Sequence, residues 1–266
     1  MLELESRLRE LRTNPSFLGQ SLHWLPETVS TQDDCRRLTE ETDGSVVVIA
    51  DRQLAGRGQY GRKWEAPSGL GLLMSFSLAG APPGSAALST WAAAAVASVL
   101  RRRFGLPAKV KWPNDVLVGG RKIAGVLVEV RGVAVIGVGV NVLQRPSDFP
   151  DDCRLPPTSI AMENNAAPDR VAVAALLLDE LERFGSPTEI EVQRRIFDAW
   201  KPRLDVQPGM PAIATLQDGS HEGELLDIDL LDGVRLRSAT GVIRIPLARL
   251  VRLEPIDDGA RSASKG

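Results

Sequence analysis

A glycine-rich basic segment at residues 56–64 contains the residue types most suited to chemistry. It reads GRGQYGRKW and carries Arg57, Arg62 and Lys63. Glycines let backbone N–H groups approach an anion closely, and guanidinium groups match the oxygens of phosphates and carboxylates. The segment therefore predicts an anion-binding loop, and a solvated basic loop without a ligand is an equally open interpretation.

The same segment contains the pattern G-x-G-x-x-G, which must be tested as a dinucleotide-binding fingerprint. That fingerprint needs a helix that begins at the glycines and an acidic residue about 20 positions later. Here Pro67, Gly69 and Gly71 follow soon after, and residues 76–81 contain no carboxylate. Neither a Rossmann site nor a phosphate loop of the G-K-[ST] type is therefore predicted.

Two further segments could contribute to one site with this loop. In residues 111–115 (KWPND), Lys111 could direct its ammonium into the same cleft and neutralise a phosphoryl or acyl-adenylate group. A solvated hairpin is the simpler interpretation of that segment. In residues 137–141 (GVGVN), glycines within a buried strand indicate that something lies close to the backbone, either a ligand or a neighbouring strand.

The elements that must position these segments follow from hydrophobic periodicity and turn residues. The pattern predicts a short N-terminal helix that ends near residues 14–15, followed by a series of helices and strands. We predict helices at 33–41, Ser85–Phe104, 169–184 and 187–200, and strands at 46–50, 69–78, 109–112, 116–118, 122–130 and 133–142. The last four strands are joined by connections too short for crossover helices, so they form an antiparallel meander. The helix that ends near residue 200 is predicted to begin in a capping box at 186–189, with Pro187 at its first position.

The sequence pattern changes after Pro208: short predicted strands recur there, with turns at 218–219, 232–233 and 240–241. This spacing predicts a small β-barrel of about 50 residues. Residues 257–266 contain almost no apolar side chain, so we expect a disordered tail.

Composition restricts the class of protein. The chain has 266 residues and a formal net charge of −2, which argues against a protein that coats DNA. The two cysteines, Cys35 and Cys153, and the two histidines, His23 and His221, predict neither a disulfide framework nor a metal site. The N-terminus lacks the apolar core of a signal peptide, and the longest apolar run covers about half a membrane span. We therefore expect a soluble cytoplasmic protein that does not bind membranes.

Taken together and in this order, the motifs resemble those of the biotin protein ligases. The resemblance covers residues 18–142. It rests on Ser30-Thr31-Gln32, Gln53, the loop at 56–64, KWPND at 111–115, RKIAGVLVE at 121–129 and GVGVN at 137–141.

The resemblance implies an α+β fold, with a mixed sheet and flanking helices like that of class II synthetases, followed by an SH3-like β-barrel. It divides the chain into an N-terminal helix (1–17), a catalytic domain (18–206), the barrel (207–256) and the tail (257–266). It also implies an activity in two steps: biotin and MgATP form biotinyl-5′-AMP, and the biotinyl group then passes to one lysine of a biotin carboxyl carrier domain.

The resemblance also assigns site residues. Lys111 and Arg57 would be catalytic, with Lys111 on the biotin carboxylate. Biotin would be bound by Ser30, Thr31, Gln32, Gln53, Arg57, Gly58, Gln59 and Lys111, and ATP by Arg62, Trp64, Lys122 and Asn141. No Ser-His or Cys-His pairing is present in these motifs, in agreement with a ligase that forms no covalent enzyme intermediate.

Two departures from the family pattern are present. Gln59 stands where the family commonly has a second arginine, which predicts weaker retention of the adenylate, and Gln32 stands where it has asparagine. The alternatives are a lipoate or octanoyl ligase with a related fold and a non-catalytic biotin sensor. Only about 17 residues precede the match, so we expect no DNA-binding winged helix; the protein would be a monomer or a homodimer.

Overall fold

The computed structural model of the protein describes residues 2–13, 15–78, 85–229 and 232–256. The predicted disordered tail at 257–266 lies outside the described residues. The α-helices are Leu2–Leu11 (α1), Thr31–Glu41 (α2), Ser85–Phe104 (α3), Ile160–Asn164 (α4), Arg170–Phe184 (α5) and Ile190–Trp200 (α6). The strands are Ser21–Leu25 (β1), Val46–Ala50 (β2), Gly71–Leu78 (β3), Lys109–Lys111 (β4), Asp115–Val118 (β5), Arg121–Arg131 (β6), Val133–Asn141 (β7), Pro211–Leu216 (β8), Gly219–Asp229 (β9), Gly233–Ser238 (β10), Gly241–Ile245 (β11) and Leu250–Pro255 (β12).

The larger sheet has seven strands in the order β1-β2-β3-β7-β6-β5-β4. Strands β1 and β2 are parallel, and each of the other neighbours is antiparallel. The predicted meander of β4 to β7 is thus confirmed. The connections within it are turns of a few residues, which only antiparallel neighbours can use.

Helices cover both faces of this sheet, as the burial of β2 shows. Val47 and Ile49 belong to the main hydrophobic core with α3 and α5, whereas Val46 and Val48 pack with Cys35 of α2. Alternate residues of a strand point to opposite faces, so α2 lies on the face opposite α3. The face under α2 is the one that carries the cleft described below.

The smaller sheet is antiparallel throughout, in the order β11-β10-β9-β8-β12. Its interior is apolar, with Leu225, Leu236 and Leu253 fully buried. The connection to the larger sheet is anchored: Leu204 is buried and forms a parallel bridge with Val110 of the edge strand β4. The predicted fold class, a mixed α/β sheet followed by a small all-β unit, is therefore confirmed.

The structure adds two elements to the predicted ones and corrects one helix start. Strand β1 and helix α4 were not predicted, because both are five-residue elements whose apolar pattern is too short to recognise. Helix α6 begins at Ile190, so the capping box at 186–189 is wrong. The Ser186 hydroxyl instead bonds within its own turn, to the hydroxyl and backbone N–H of Thr188.

Among the helices of the described ranges, none combines the length and the apolar character needed to cross a lipid bilayer.

Candidate active site

An open cleft of about 480 Å³ lies on the sheet face beneath α2. Most of its lining comes from the start of α2, the loop at 56–64, the middle of β3 and the β6–β7 pair, and Gln53 and Asn114 add to it. The lining residues include Ser30, Thr31, Gln32, Gln53, Arg57, Gly58, Gln59, Trp64, Ser75, Asn114, Lys122, Gly125, Gly137 and Gly139. The predicted motifs at 30–32, 53, 56–64, 121–129 and 137–141 thus each contribute to one cavity.

A polar cluster is formed at the N-terminus of α2. The Gln53 side-chain oxygen accepts hydrogen bonds from the Thr31 backbone N–H (2.9 Å) and hydroxyl (3.0 Å). The Thr31 hydroxyl lies 2.8 Å from the Ser75 hydroxyl. In the part of the chain that the structure describes, Ser30 Oγ and Gln32 Oε1 are buried without a hydrogen-bond partner. Since buried polar atoms are costly to leave unpaired, these two are groups that a polar ligand would satisfy.

Three glycines make room for two large side chains in the cleft. A Cβ on Gly139 would lie 2.4 Å from the Trp64 indole, and one on Gly125 would lie 3.0 Å from the same ring. A Cβ on Gly137 would lie 3.2 Å from the amide carbon of Gln32. Each glycine is therefore needed because a cleft side chain rests directly on the strand backbone.

Lys122 contributes a cation to the cleft. Its Nζ lies 2.6 Å from Asp115 Oδ1 and 5.3 Å from the centre of a Trp64 ring. The backbone at Lys122 is fixed as well, because its N–H donates to the Pro156 carbonyl (2.8 Å) and its carbonyl accepts from the Thr158 N–H (2.9 Å). The ammonium is thus held beside an aromatic face by one carboxylate.

The loop at 56–64 folds back on itself as a narrow hairpin. Gly58 N–H donates to the Arg62 carbonyl (2.7 Å) and Trp64 N–H to the Gly56 carbonyl (2.9 Å). Tyr60 at the tip has a φ of 59°. The segment therefore does not begin a helix of the dinucleotide-binding type, as the sequence indicates.

Arg57 closes this hairpin against two carboxylates. Its guanidinium donates two hydrogen bonds to Asp33, of 2.8 and 2.7 Å, and approaches Glu129 Oε2 at 3.4 Å. The Arg57 hydrogen bond lowers the pKa of Asp33, and Asp33 in turn raises the pKa of Arg57. Arg57 is thus fully charged and bridges α2, the loop and β6 at the edge of the cleft.

Strand register orders these groups within the cleft. Ser75 pairs with Gly137, and Gly137 with Leu127; two residues along, Leu73 pairs with Gly139, and Gly139 with Gly125. Two residues of a strand span about 7 Å. The polar cluster at Thr31 therefore lies beside the first row, and the Trp64 indole and Lys122 ammonium lie beside the second.

Lys111, which is predicted to face the cleft, is not among the residues that line it within the described ranges. Its Nζ lies 2.8 Å from Glu254 Oε1 of strand β12. Lys111 is the last residue of β4, an edge strand, whereas Lys122 lies at the start of β6 beside the cleft glycines. Lys122 is thus the lysine that the fold places in the cleft.

Two of the predicted ATP-binding residues also lie elsewhere. Asn141 is buried. Its Nδ2 donates hydrogen bonds to the carbonyls of Thr158 (2.9 Å) and Lys122 (3.4 Å), and its Oδ1 accepts one from the Gln144 side-chain amide. Its position supports the backbone behind the cleft. Arg62 is exposed on the hairpin and does not line the cleft.

Sequence reasoning missed five residues of this region. They are Asp33 and Glu129, which hold Arg57; Asp115, which holds Lys122; and Ser75 and Asn114, which line the cleft. A weak signal existed for Ser75, one of two serines in an otherwise apolar strand. Asp115 and Glu129 lie within motifs that the sequence analysis quotes, but their partners were not predicted, and Asp33 pairs with an arginine 24 positions away.

Comparison with known proteins gives a consistent result. Residues 25–142 match the model of the Biotin/lipoate A/B protein ligase family. A biotin–[acetyl-CoA-carboxylase] ligase of Paracoccus denitrificans is 32% identical over 237 residues, which are 85% of this chain and 98% of that protein. The ligase of the same name from Mycobacterium tuberculosis is 40% identical over 193 residues, which are 67% of this chain and 71% of that protein. The bifunctional ligase/repressor BirA of Bacillus subtilis is 36% identical over 171 residues, and the match spans 60% of this chain and about half (52%) of that relative.

Solved structures agree with the sequence matches. The biotin protein ligase of Aquifex aeolicus, in complex with biotin and ATP, superposes with a TM-score of 0.78 at 25% identity, covering 89% of this chain and 100% of that one. The biotin protein ligase of Leishmania major, in complex with biotin, gives a TM-score of 0.58 at 25% identity, covering 85% and 98%. The chain belongs to the biotin protein ligase family.

Proposed function

We propose that the protein activates biotin with ATP to biotinyl-5′-AMP and transfers the biotinyl group to a lysine of a biotin carboxyl carrier protein. The observation that carries this proposal is the cleft itself. Within the described residues, it joins buried polar groups without a partner, a fixed lysine and a half-buried indole on one glycine-lined stretch of sheet. The family membership and the relatives named above support the same activity.

The ring end of biotin is assigned to the first row of the cleft. Ureido groups both donate and accept hydrogen bonds, and Ser30, Thr31, Gln32 and Gln53 offer hydroxyls and amides there. Ser30 Oγ and Gln32 Oε1, both buried and unpaired, would gain partners. This binding would direct the carboxylate towards the second row, where Lys122 lies.

In the first chemical step, a biotin carboxylate oxygen attacks the α-phosphorus of ATP and pyrophosphate leaves. Two anions must approach each other, so the site has to supply cations and positioned donors. We assign Lys122 to the carboxylate and the developing acyl phosphate, the role that the family resemblance implies for Lys111. Arg57, together with the backbone of Gly58 and with Gln59, is assigned to the same anionic group.

ATP is proposed to enter as its Mg²⁺ complex, because Mg²⁺ binds phosphate oxygens and neutralises their charge. The Trp64 indole, which carries an unpaired N–H and a face beside Lys122, is assigned to the nucleotide. Exposed Arg62 could reach phosphates only if the hairpin moved. Its role stays a prediction.

In the second step, the amine of the carrier lysine attacks the acyl carbon, an amide forms, and AMP leaves. Until then the adenylate must be kept from water, which a glycine-rich loop that orders over it can do. The predictions that the protein binds no DNA and is a monomer or a homodimer stay predictions.

The test is incubation of the protein with labelled biotin, MgATP and a carrier domain, with lipoate in place of biotin as the matched control. We expect label on the carrier with biotin only, and biotinyl-AMP when the carrier is omitted. Adenylate without carrier labelling would contradict the transfer step, and modification with lipoate alone would contradict the choice of substrate.

A further inference from the structure

The hairpin at 56–64 is tied to the cleft edge by one charged side chain. Within the described residues, Arg57 is the only member of this segment whose side chain hydrogen-bonds another element. Its partners are Asp33 of α2 and Glu129 of β6. The turn of the hairpin, from Tyr60 to Lys63, is exposed. The Arg57 guanidinium is therefore the group that fastens the hairpin to its neighbours by hydrogen bonds.

Asp33 provides the stronger of the two contacts. Its oxygens accept hydrogen bonds of 2.8 and 2.7 Å from the two terminal nitrogens of Arg57, the paired geometry that gives an arginine–carboxylate contact its direction. Glu129 lies farther from Arg57, at 3.4 Å, and its carboxylate also faces Arg36 at 3.7 Å. The position of the Arg57 side chain therefore depends mainly on Asp33.

The first turn of α2 fixes Asp33 relative to the cleft. The Asp33 backbone N–H donates to the Ser30 carbonyl (3.1 Å), and Ser30 and Thr31 line the cleft. The Thr31 N–H is held in turn by the Gln53 side chain (2.9 Å). One helical turn thus supplies polar groups to the cleft and holds Arg57 from outside it.

Arg57 has enough donors to keep this contact and bind a ligand at the same time. A guanidinium has five N–H donors, of which two are used by Asp33 and one by Glu129. Since Arg57 lines the cleft, the remaining donors are available to an anion there. The pair is also partly exposed, Arg57 at 36% and Asp33 at 57%, and exposed ion pairs are weak. The contact can therefore open to admit substrates.

We propose that Asp33 is a positioning residue for retention of the adenylate: by holding Arg57, it keeps the hairpin closed over biotinyl-AMP until the carrier arrives. This inference rests on the proposed function and names the residue that governs the interval between its two steps. Asp33 acts through Arg57 and not on the reacting atoms. Without it, the hairpin opens more often, and the bound adenylate escapes or meets water sooner.

The experiment measures how fast pre-formed, labelled biotinyl-AMP dissociates during a chase with excess unlabelled biotin and MgATP. The proteins are wild type, Asp33→Asn, Arg57→Met and the double variant. We expect Asp33→Asn to speed dissociation about fivefold, which corresponds to about 1 kcal/mol. Arg57→Met should speed it at least as much, because it removes both the contact with Asp33 and a contact with the ligand. Adding Asp33→Asn to Arg57→Met should change nothing more, since the contact is already broken.

This double variant separates positioning from a purely structural role. Asp33 also places a negative charge in the first turn of α2, where it stabilises the helix. That contribution does not need Arg57. If it were the cause, Asp33→Asn would speed dissociation equally with and without Arg57, and the inference would be overturned. A wild-type dissociation rate in Asp33→Asn would overturn it as well.

The matched control is Glu41→Gln, which removes an exposed ion pair with Arg37 (3.2 Å) on the same helix and should leave the dissociation rate unchanged. Faster dissociation in this variant would overturn the inference, because loss of any negative charge on α2 would then have the same effect. If wild type forms no biotinyl-AMP, the proposed function fails and the inference with it. The inference fails alone when wild type forms the adenylate and Asp33→Asn retains it equally long.

Discussion

Two lysines of one short stretch of sheet, Lys111 and Lys122, have similar partners and different surroundings. Each ammonium lies within 3 Å of one carboxylate, Glu254 at 2.8 Å and Asp115 at 2.6 Å. Lys111 is 9% exposed at the junction of the two sheets, whereas Lys122 is 28% exposed beside an indole and Gly125. An ion pair alone therefore does not distinguish the two lysines; the open space beside Lys122 does, and the role proposed for Lys122 rests on it.

The largest expected effect is that of removing the cleft lysine. Lys122→Ala should lower the rate of biotinyl-AMP formation by about 10²–10³-fold, the usual cost of losing one preorganised group that stabilises transition-state charge. The measurement is pyrophosphate release at saturating substrates. Lys109→Ala, an exposed lysine of β4, is the control and should keep the wild-type rate. An unaffected Lys122→Ala enzyme would remove this residue from the proposed mechanism.

The next effect concerns the space beside that lysine. In Gly139→Ala the new methyl group would overlap the Trp64 indole, so the ring must move out of the cleft. We expect the free energy of unfolding to fall by about 1–3 kcal/mol, the usual range for overpacking, and the affinity for ATP, measured by titration calorimetry, to fall because the indole is displaced. Gly125→Ala should cost less, because its contact with the ring is 3.0 Å and the other neighbour is the flexible end of Lys122. Equal affinities in all three proteins would contradict the tight packing of Trp64.

At the junction of the two sheets, the residue of interest is Asp205, and changing it should alter stability in a way that depends on pH. Burial raises the pKa of Asp205 from 3.8 to about 6, and within the described residues its Oδ1 is buried without a hydrogen-bond partner. Folding therefore costs free energy when Asp205 is ionised: the contribution of Asp205 to stability should fall as pH rises from 4 to 6, and this cost should persist above pH 6. Asp205→Asn should raise the free energy of unfolding by about 1–3 kcal/mol at pH 8 and by little at pH 4.

Chemical denaturation at the two pH values measures this difference, with Asp218→Asn as an exposed control. A gain in Asp205→Asn of the same size at both pH values would show that ionisation is not its cause.

The smallest effect is expected in the loop. Gln59→Arg restores a cation at the edge of the cleft and should slow dissociation of biotinyl-AMP several-fold, since one charge-assisted hydrogen bond contributes about 1 kcal/mol at a partly exposed site. Release of the pre-formed adenylate into excess unlabelled biotin and ATP gives the rate. Dissociation as fast as in wild type would contradict the effect assigned to Gln59.

Much of this architecture could be predicted from the sequence, because local patterns determine it. The apolar run of β2, the Ala-rich α3 and the short turns of the meander each indicate their element directly. The loop at 56–64 and the glycines of β7 were also correctly brought together with Ser30, Thr31 and Gln53.

The partners of the charged residues could not be predicted in the same way. Lys111 meets Glu254, and Arg57 meets Asp33 and Glu129, across distances in sequence that only the packed sheet closes. The choice between Lys111 and Lys122 depended on which strand lies at the sheet edge. The order of the strands in the sheet follows from which strands pair by hydrogen bonds, and residue types alone do not determine that pairing.

The most direct test of the account compares the two lysines in one assay: the single-turnover rate of biotinyl-AMP formation in Lys122→Ala and Lys111→Ala, relative to wild type. The account predicts that the loss in Lys122→Ala exceeds that in Lys111→Ala by at least about tenfold, as expected for a group that lines the cleft and one that is paired with Glu254. Equal losses, or a larger loss in Lys111→Ala, would contradict it.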